Sequence, residues 1–230
     1  MNQNPAQTPA ASAELKARIL AAVQASPSPT RRPTFRATRL LVPAAAVFAG
    51  CLYVAFDGIH HGQGRPPGAL GASVSVWIGA ALVSMWTVVG KARSPTGRPR
   101  PWLLAVTIGM PVLVLALLVT LSAVGYAGDA ATHRAGVRCL GMTLAAAVVP
   151  VLGLLLLKRG SDPVHPAAHG AAIGVSFGAY AGIMVCLWCP DLSPAHSAVG
   201  HVAPLLLLAL LGAAVGRRVL DLPRESHANR

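Results

Sequence analysis

WLLAVTIGMPVLVLALLVTLSAVGY, residues 102–126, carries no charged side chain over 25 positions. As an α-helix rising about 1.5 Å per residue it would measure about 37 Å, more than the ~30 Å of hydrocarbon in a bilayer. A helix in water would need a polar face, and this one has none. Outward from it lie five more apolar runs, at 40–59, 69–90, 136–157, 169–188 and 198–216. The six runs hold 128 of the 230 residues but only two of the 26 charges, Asp57 and Arg138, both close to run ends. A β-barrel would show shorter, alternating segments. The sequence predicts an all-α polytopic membrane protein: a tail over 1–39, a six-helix transmembrane domain over 40–216 and a second tail over 217–230.

With 19 Lys/Arg against 7 Asp/Glu the chain carries a net charge of +12. On a soluble surface that excess would suggest nucleic acid. Here the basic residues crowd the gaps between apolar runs, so no direct nucleic-acid partner is expected. The N-terminal tail, the 91–101 and 158–168 loops and the C-terminal tail hold 16 of them. The opposite side has only Arg65, Arg134 and Arg138. Basic loops stay in the cytoplasm, so both termini are expected there. Thr30-Arg31-Arg32-Pro33-Thr34-Phe35 and Val47-Phe48-Ala49-Gly50-Cys51 resemble a twin-arginine signal and a lipoprotein box only imperfectly, and an uncleaved first helix is expected.

The tail has one patterned segment. Ser12 is suited to cap a helix, Glu14 sits in its first turn, and Leu15, Ile19 and Val23 recur every four residues as one apolar stripe. Pro27 and Pro29 end the pattern, which predicts a short amphipathic helix over about 12–25. That is too short to be stable alone in water. It fits either a groove on a protein partner or, helped by Arg31, Arg32, Arg36 and Arg39, the anionic inner leaflet of the lipid bilayer.

Cys51, Cys139, Cys186 and Cys189 all fall toward the outer side. Counting from the cytoplasmic turn near residue 164, Cys139 and Cys189 are each about 25 residues away and reach equal depth. Cys186 lies one helical turn deeper, and His201 comes level with it. Two uses fit: a disulfide between Cys139 and Cys189, or a thiolate site for Zn or Cu(I) that includes Cys186 and His201. Cys51 reads as an ordinary packed residue. The outer histidines His60, His61, His133, His196 and His201 read first as interface residues, with His201 alone placed beside the thiols. No resident cofactor is expected; a metal ion enters only as a signal.

Gly170, Gly174, Gly178 and Gly182 form a stripe that lets a neighbouring helix approach to backbone contact, with Gly212 and Gly216 in the same style on the last span. Pro43, Pro111, Pro150 and Pro204 lie inside spans and can kink them. No carboxylate lies deep in a span, and no paired acids, Ser-His-Asp set or phosphate loop appears. An enzyme is not expected.

The chain resembles the NrsF-type membrane anti-sigma factors. The likeness rests on Cys139, Pro150, Lys158-Arg159-Gly160 with Pro163 and Pro166, the four-glycine stripe with Tyr180, Cys189-Pro190 and the closing Gly212-Ala-Ala-Val-Gly216-Arg-Arg. Leu15–Val23 followed by Pro27-Ser-Pro29-Thr-Arg31 is similar to tails in that family. It covers spans 4 to 6 and the tail; spans 1 to 3 match in number and length. The resemblance implies a six-span protein of the bacterial inner membrane whose cytoplasmic segment binds an extracytoplasmic-function sigma factor. It also implies a periplasm-side cysteine pair, matched by Cys139 and Cys189, that registers metal or redox stress. Cys186 and His201 have no place in that pattern, and Asp191–His196 stands where an aromatic-rich stretch is expected. The rival reading is a small transporter or metal-handling protein using the outer Cys/His groups; a third is a structural membrane subunit assembled through the glycine seam.

Overall fold

In hydrocarbon every backbone N–H and C=O must be satisfied within the chain, so uncharged runs of this length form helices. A computed structural model describes residues 67–89, 98–126, 136–159, 164–189 and 191–221, together with the single positions Ala17, Ala21 and Gly50. Five helices are long and apolar enough to cross a membrane: α1 (Pro67–Val89), α2 (Arg100–Val124), α3 (Val137–Leu157), α4 (Pro166–Trp188) and α5 (Pro194–Val219). There is no strand among the described residues. The first expected span, 40–59, lies outside them apart from Gly50, which is helical. Leu15, Ile19 and Val23 also lie outside them; Ala17 and Ala21 are helical and exposed. The chain divides into two units, Met1–Ala37 and Thr38–Arg230.

Four of the five helices start earlier than the apolar runs suggest, all but α3, and proline explains three of the starts. Pro101, Pro166 and Pro194 occupy the first two positions of α2, α4 and α5. There the missing N–H costs nothing and the fixed φ suits the helix. Mid-helix prolines act differently. Pro111 and Pro204 cannot return a hydrogen bond to Thr107 and Gly200, and their rings crowd those carbonyls. At both places the chain widens into a π-turn, over Ala105–Gly109 and Ala198–Val202. Pro150 is held inside α3 without one.

Helix α4 is the centre of the bundle: 78% of its apolar window is buried, against 28–44% in the other four. Outward faces of its neighbours carry Leu82, Trp86, Val112, Val149 and Leu210, all more than half exposed. An exterior this apolar is what a helix shows to lipid rather than to water.

The glycine stripe divides its work between two neighbours. A side chain on Gly170 or Gly174 would overlap the Gly212 or Leu208 carbonyl of α5, and Gly178 lies against Leu205. Gly182 instead faces the ring of Trp77 on α1. Gly216 closes the seam at its far end against the Pro166 carbonyl. Four of the buried hydroxyls are satisfied locally, with Ser73, Ser84, Thr143 and Ser176 each donating to the carbonyl four residues back.

Basic side chains tie the other end together. Lys158 Nζ donates to the Val88 carbonyl at 2.7 Å and lies 3.2 Å from His169 Nε2. Arg98 donates to the Trp86 carbonyl at 3.2 Å. The last carbonyls of α1, which have no partner within their own helix, are thus met by cations from elsewhere.

Candidate thiol and imidazole site

Three helix ends meet about 30 Å along α4 from His169. Cys139 lies in the first turn of α3, Cys189 caps the C-terminus of α4, and His196 and His201 lie in the opening turns of α5. Two glycines make the approach close enough. A methyl group on Gly136 would lie 2.6 Å from the Gly200 nitrogen and 2.8 Å from the His196 carbonyl oxygen. One on Gly200 would lie 3.0 Å from the Gly136 carbonyl oxygen and 3.1 Å from Cys139 Cβ.

His196 and His201 are five residues apart, which on a regular α-helix points them about 140° from each other. The π-turn absorbs one extra residue and reduces the divergence to about 40°. Their ring centroids are 5.4 Å apart, and His201 is 6.1 Å from the ring of Trp77. That turn, which Pro204 follows, is what places His201 here.

One donor atom from each of Cys139, Cys189, His196 and His201 lies within 4.8 Å of the other three, and all four residues are buried. His196 Nε2 is 3.0 Å from Cys189 Sγ, and its Nδ1 faces Asp191 Oδ2 at 3.4 Å. Nε2 thus faces the sulfur while Nδ1 faces the carboxylate on the other side of the ring, at ion-pair distance rather than in a hydrogen bond. Asp191 is held in turn by the Ser193 backbone N–H, which donates to Oδ1 at 2.7 Å. A hydrogen bond with Cys139 and then burial push the Cys189 thiol above its ordinary range, while His196 and His201 pull it down. Beside the thiols, Arg138 lies 4.4 Å over the Trp188 ring, and Val185 and Met142 complete an apolar wall.

The structure thus brings together three of the four residues grouped from the sequence, Cys139, Cys189 and His201. It places the fourth elsewhere: Cys186 is buried with Trp77, Val202 and Leu205 in the neighbouring apolar cluster. The side chain that sequence reasoning missed is His196, read as an interface residue but only 5% exposed, together with its partner Asp191. Their signal was the spacing Cys189-x-Asp191-x4-His196-x4-His201, which places both imidazoles on one face only if a π-turn intervenes. Cys51, His60, His61 and His133 lie outside the described residues. Cys139, Cys186 and Cys189 carry thiols rather than disulfides. Chemically, the pair Cys139 and Cys189 can be oxidised to a disulfide, and the whole set can hold a soft or borderline ion.

Fold and site together define a helical protein with membrane-length spans and a buried thiol–imidazole set at one end. The chain belongs to the NrsF family, negative regulator of sigma F, whose model matches residues 20–221. The match runs through all six apolar stretches of the sequence, including those whose likeness rested on number and length alone. No curated protein and no solved structure matches the chain. A negative regulator of a sigma factor has a sigma factor as partner, and its family is regulatory by name rather than enzymatic.

Proposed function

We propose that this protein is an integral membrane anti-sigma factor of the bacterial inner membrane, with six spans and both termini in the cytoplasm. Its N-terminal segment, through Leu15, Ile19 and Val23, covers a surface of an extracytoplasmic-function sigma factor and holds it at the bilayer. Metal or redox stress at Cys139 and Cys189 repacks α3 against α4 and releases it. The family match over residues 20–221 carries the sigma-factor part. The sensing part is supported by the two thiols lying at one end of α4 while Lys158, Arg159, Arg217 and Arg218 gather at the other. Val23 falls within the matched segment, and Leu15 and Ile19 just before it.

Deleting residues 12–25 should switch on the sigma-dependent genes without any stress, and a 1–39 peptide should retain the sigma factor in a pull-down. An unchanged transcript profile on deletion, with full-length protein still in the membrane, would sink the reading. Replacing Cys139 and Cys189 by Ser should blunt induction and leave repression intact. The alternative, a small transporter or metal-handling protein, draws on the same Cys/His set; it predicts metal uptake or efflux that the 12–25 deletion leaves untouched.

A further inference from the structure

We propose that Cys139, Cys189, His196 and His201 form a closed Cys2His2 site for a thiophilic divalent ion of the zinc class, with Asp191 orienting His196 from behind. The inference names the ligand for the sensing half of the function proposed above, and rests on that reading only for its consequence in the cell.

Four observations carry it. The donors number four, two sulfur and two nitrogen, and lie within 4.8 Å of one another, the count and type of a tetrahedral zinc site with no position left for substrate. The His196 ring presents Nε2 to Cys189 Sγ at 3.0 Å, with the Asp191 carboxylate 3.4 Å from Nδ1 on its other side. A carboxylate behind a ligating imidazole fixes its tautomer and raises its basicity. His201 is 2% exposed, and its Nδ1 has no hydrogen-bond partner among the described residues. The donors also come from three separate helix ends, so an ion there would tie α3, α4 and α5 together.

Charge favours the same ligand. Binding M²⁺ forms two S–M and two N–M bonds and releases the two thiol protons to solvent; nothing is oxidised or reduced. Two thiolates and two neutral imidazoles then cancel the dication, so the filled site is neutral where it adjoins the apolar bundle. Asp191 lies outside the ligand set, its Oδ1 accepting from the Ser193 N–H and its Oδ2 3.4 Å from His196 Nδ1.

The test uses the reduced, full-length protein in detergent, with Co(II) as probe and Zn(II) as competitor. One Co(II) should bind per chain, with a sulfur-to-cobalt charge-transfer band and the intense d–d bands of tetrahedral coordination, and Zn(II) should displace it. Cys139→Ser, Cys189→Ser, His196→Gln and His201→Gln should each weaken binding at least tenfold. Asp191→Asn should weaken it by about 10- to 100-fold, and Cys186→Ser should leave it unchanged. His201→Cys, which keeps a donor, should restore tetrahedral binding and so separates ligand loss from misfolding. A reduced wild-type protein that takes up neither ion, or uptake that survives the loss of all four donors, overturns the proposal. So does a weak octahedral spectrum. Because no sigma factor is present, failure here leaves the tail-deletion result standing, and failure of that deletion leaves the ion site standing.

Discussion

Gly136 and Gly200 meet backbone to backbone, and this contact brings Cys139 of α3 within reach of His201 of α5. Neither residue carries chemistry, yet a methyl group on Gly136 would collide with the Gly200 nitrogen and the His196 carbonyl at once. Neither obstacle is a flexible side-chain tip that could move aside. Gly136→Ala should therefore push the start of α3 away and cost about 1–3 kcal/mol. In a Cys189→Ser, His201→Cys background, oxidative cross-linking of Cys139 to position 201 should drop sharply when Gly136→Ala is added. Unchanged cross-linking would show that the glycine contact does not set the spacing.

A proline outside the site makes the second prediction. Pro204 follows the π-turn over Ala198–Val202 that swings His201 onto the face of His196. Its missing N–H leaves the Gly200 carbonyl without the regular helical bond that would close the turn. Pro204→Ala restores an N–H for the Gly200 carbonyl and should let α5 close into a regular helix. A proline in a helix interior costs about 3 kcal/mol relative to alanine, so thermal stability in detergent should hold or rise. Cross-linking from Cys139 to His201→Cys should fall at the same time. A stability gain with wild-type cross-linking would mean that the π-turn has another cause.

These two cases show how far the sequence could be read. Five of the six expected runs were legible as membrane-length helices because an uncharged run longer than a bilayer has no soluble alternative, and 102–126 alone nearly decides the matter. The sixth, 40–59, lies outside the described residues apart from Gly50. Cys139 and Cys189 were legible because equal counts from one turn give equal depth, whatever the local geometry. The packing of Cys186 was not legible because depth says nothing of direction: three residues before Cys189 it is buried in the cluster of Trp77 and Leu205 instead. His196 was missed because five-residue spacing separates two side chains on an ideal helix, and only the π-turn reunites them. The stripe at Gly170–Gly182 was legible as a packing surface, but not that Gly182 serves α1 while the other three serve α5.

The stripe makes the third prediction. At Gly174 an added methyl would overlap the Leu208 carbonyl, whereas Gly141 and Gly153 on α3 have nothing within 4 Å of that position. Gly174→Ala should cost about 1–3 kcal/mol through overpacking. Gly141→Ala should be neutral or stabilising by up to about 1 kcal/mol through helix propensity. Thermal unfolding in detergent measures both. Equal effects of the two substitutions would mean that the α4–α5 seam is not as close as its carbonyl contacts indicate.

The fourth prediction concerns the end of the bundle remote from the thiols. Lys158 joins three helices there, since it extends from the end of α3 to the Val88 carbonyl of α1 and to His169 at the start of α4. Lys158→Met keeps most of the apolar stem but removes the charged donor, leaving the Val88 carbonyl and His169 Nε2 without it. A hydrogen bond to a charged group contributes about 1.5–3 kcal/mol, so the melting temperature should fall by a matching amount. Arg159→Met, one residue on and exposed, provides the control and should shift stability by no more than about 0.5 kcal/mol. The pair also separates two roles of positive charge at this end. Each substitution removes one cation from the same loop, so a loss confined to Lys158→Met comes from the three-helix contact rather than from orientation in the bilayer. Equal losses would place the effect in charge alone.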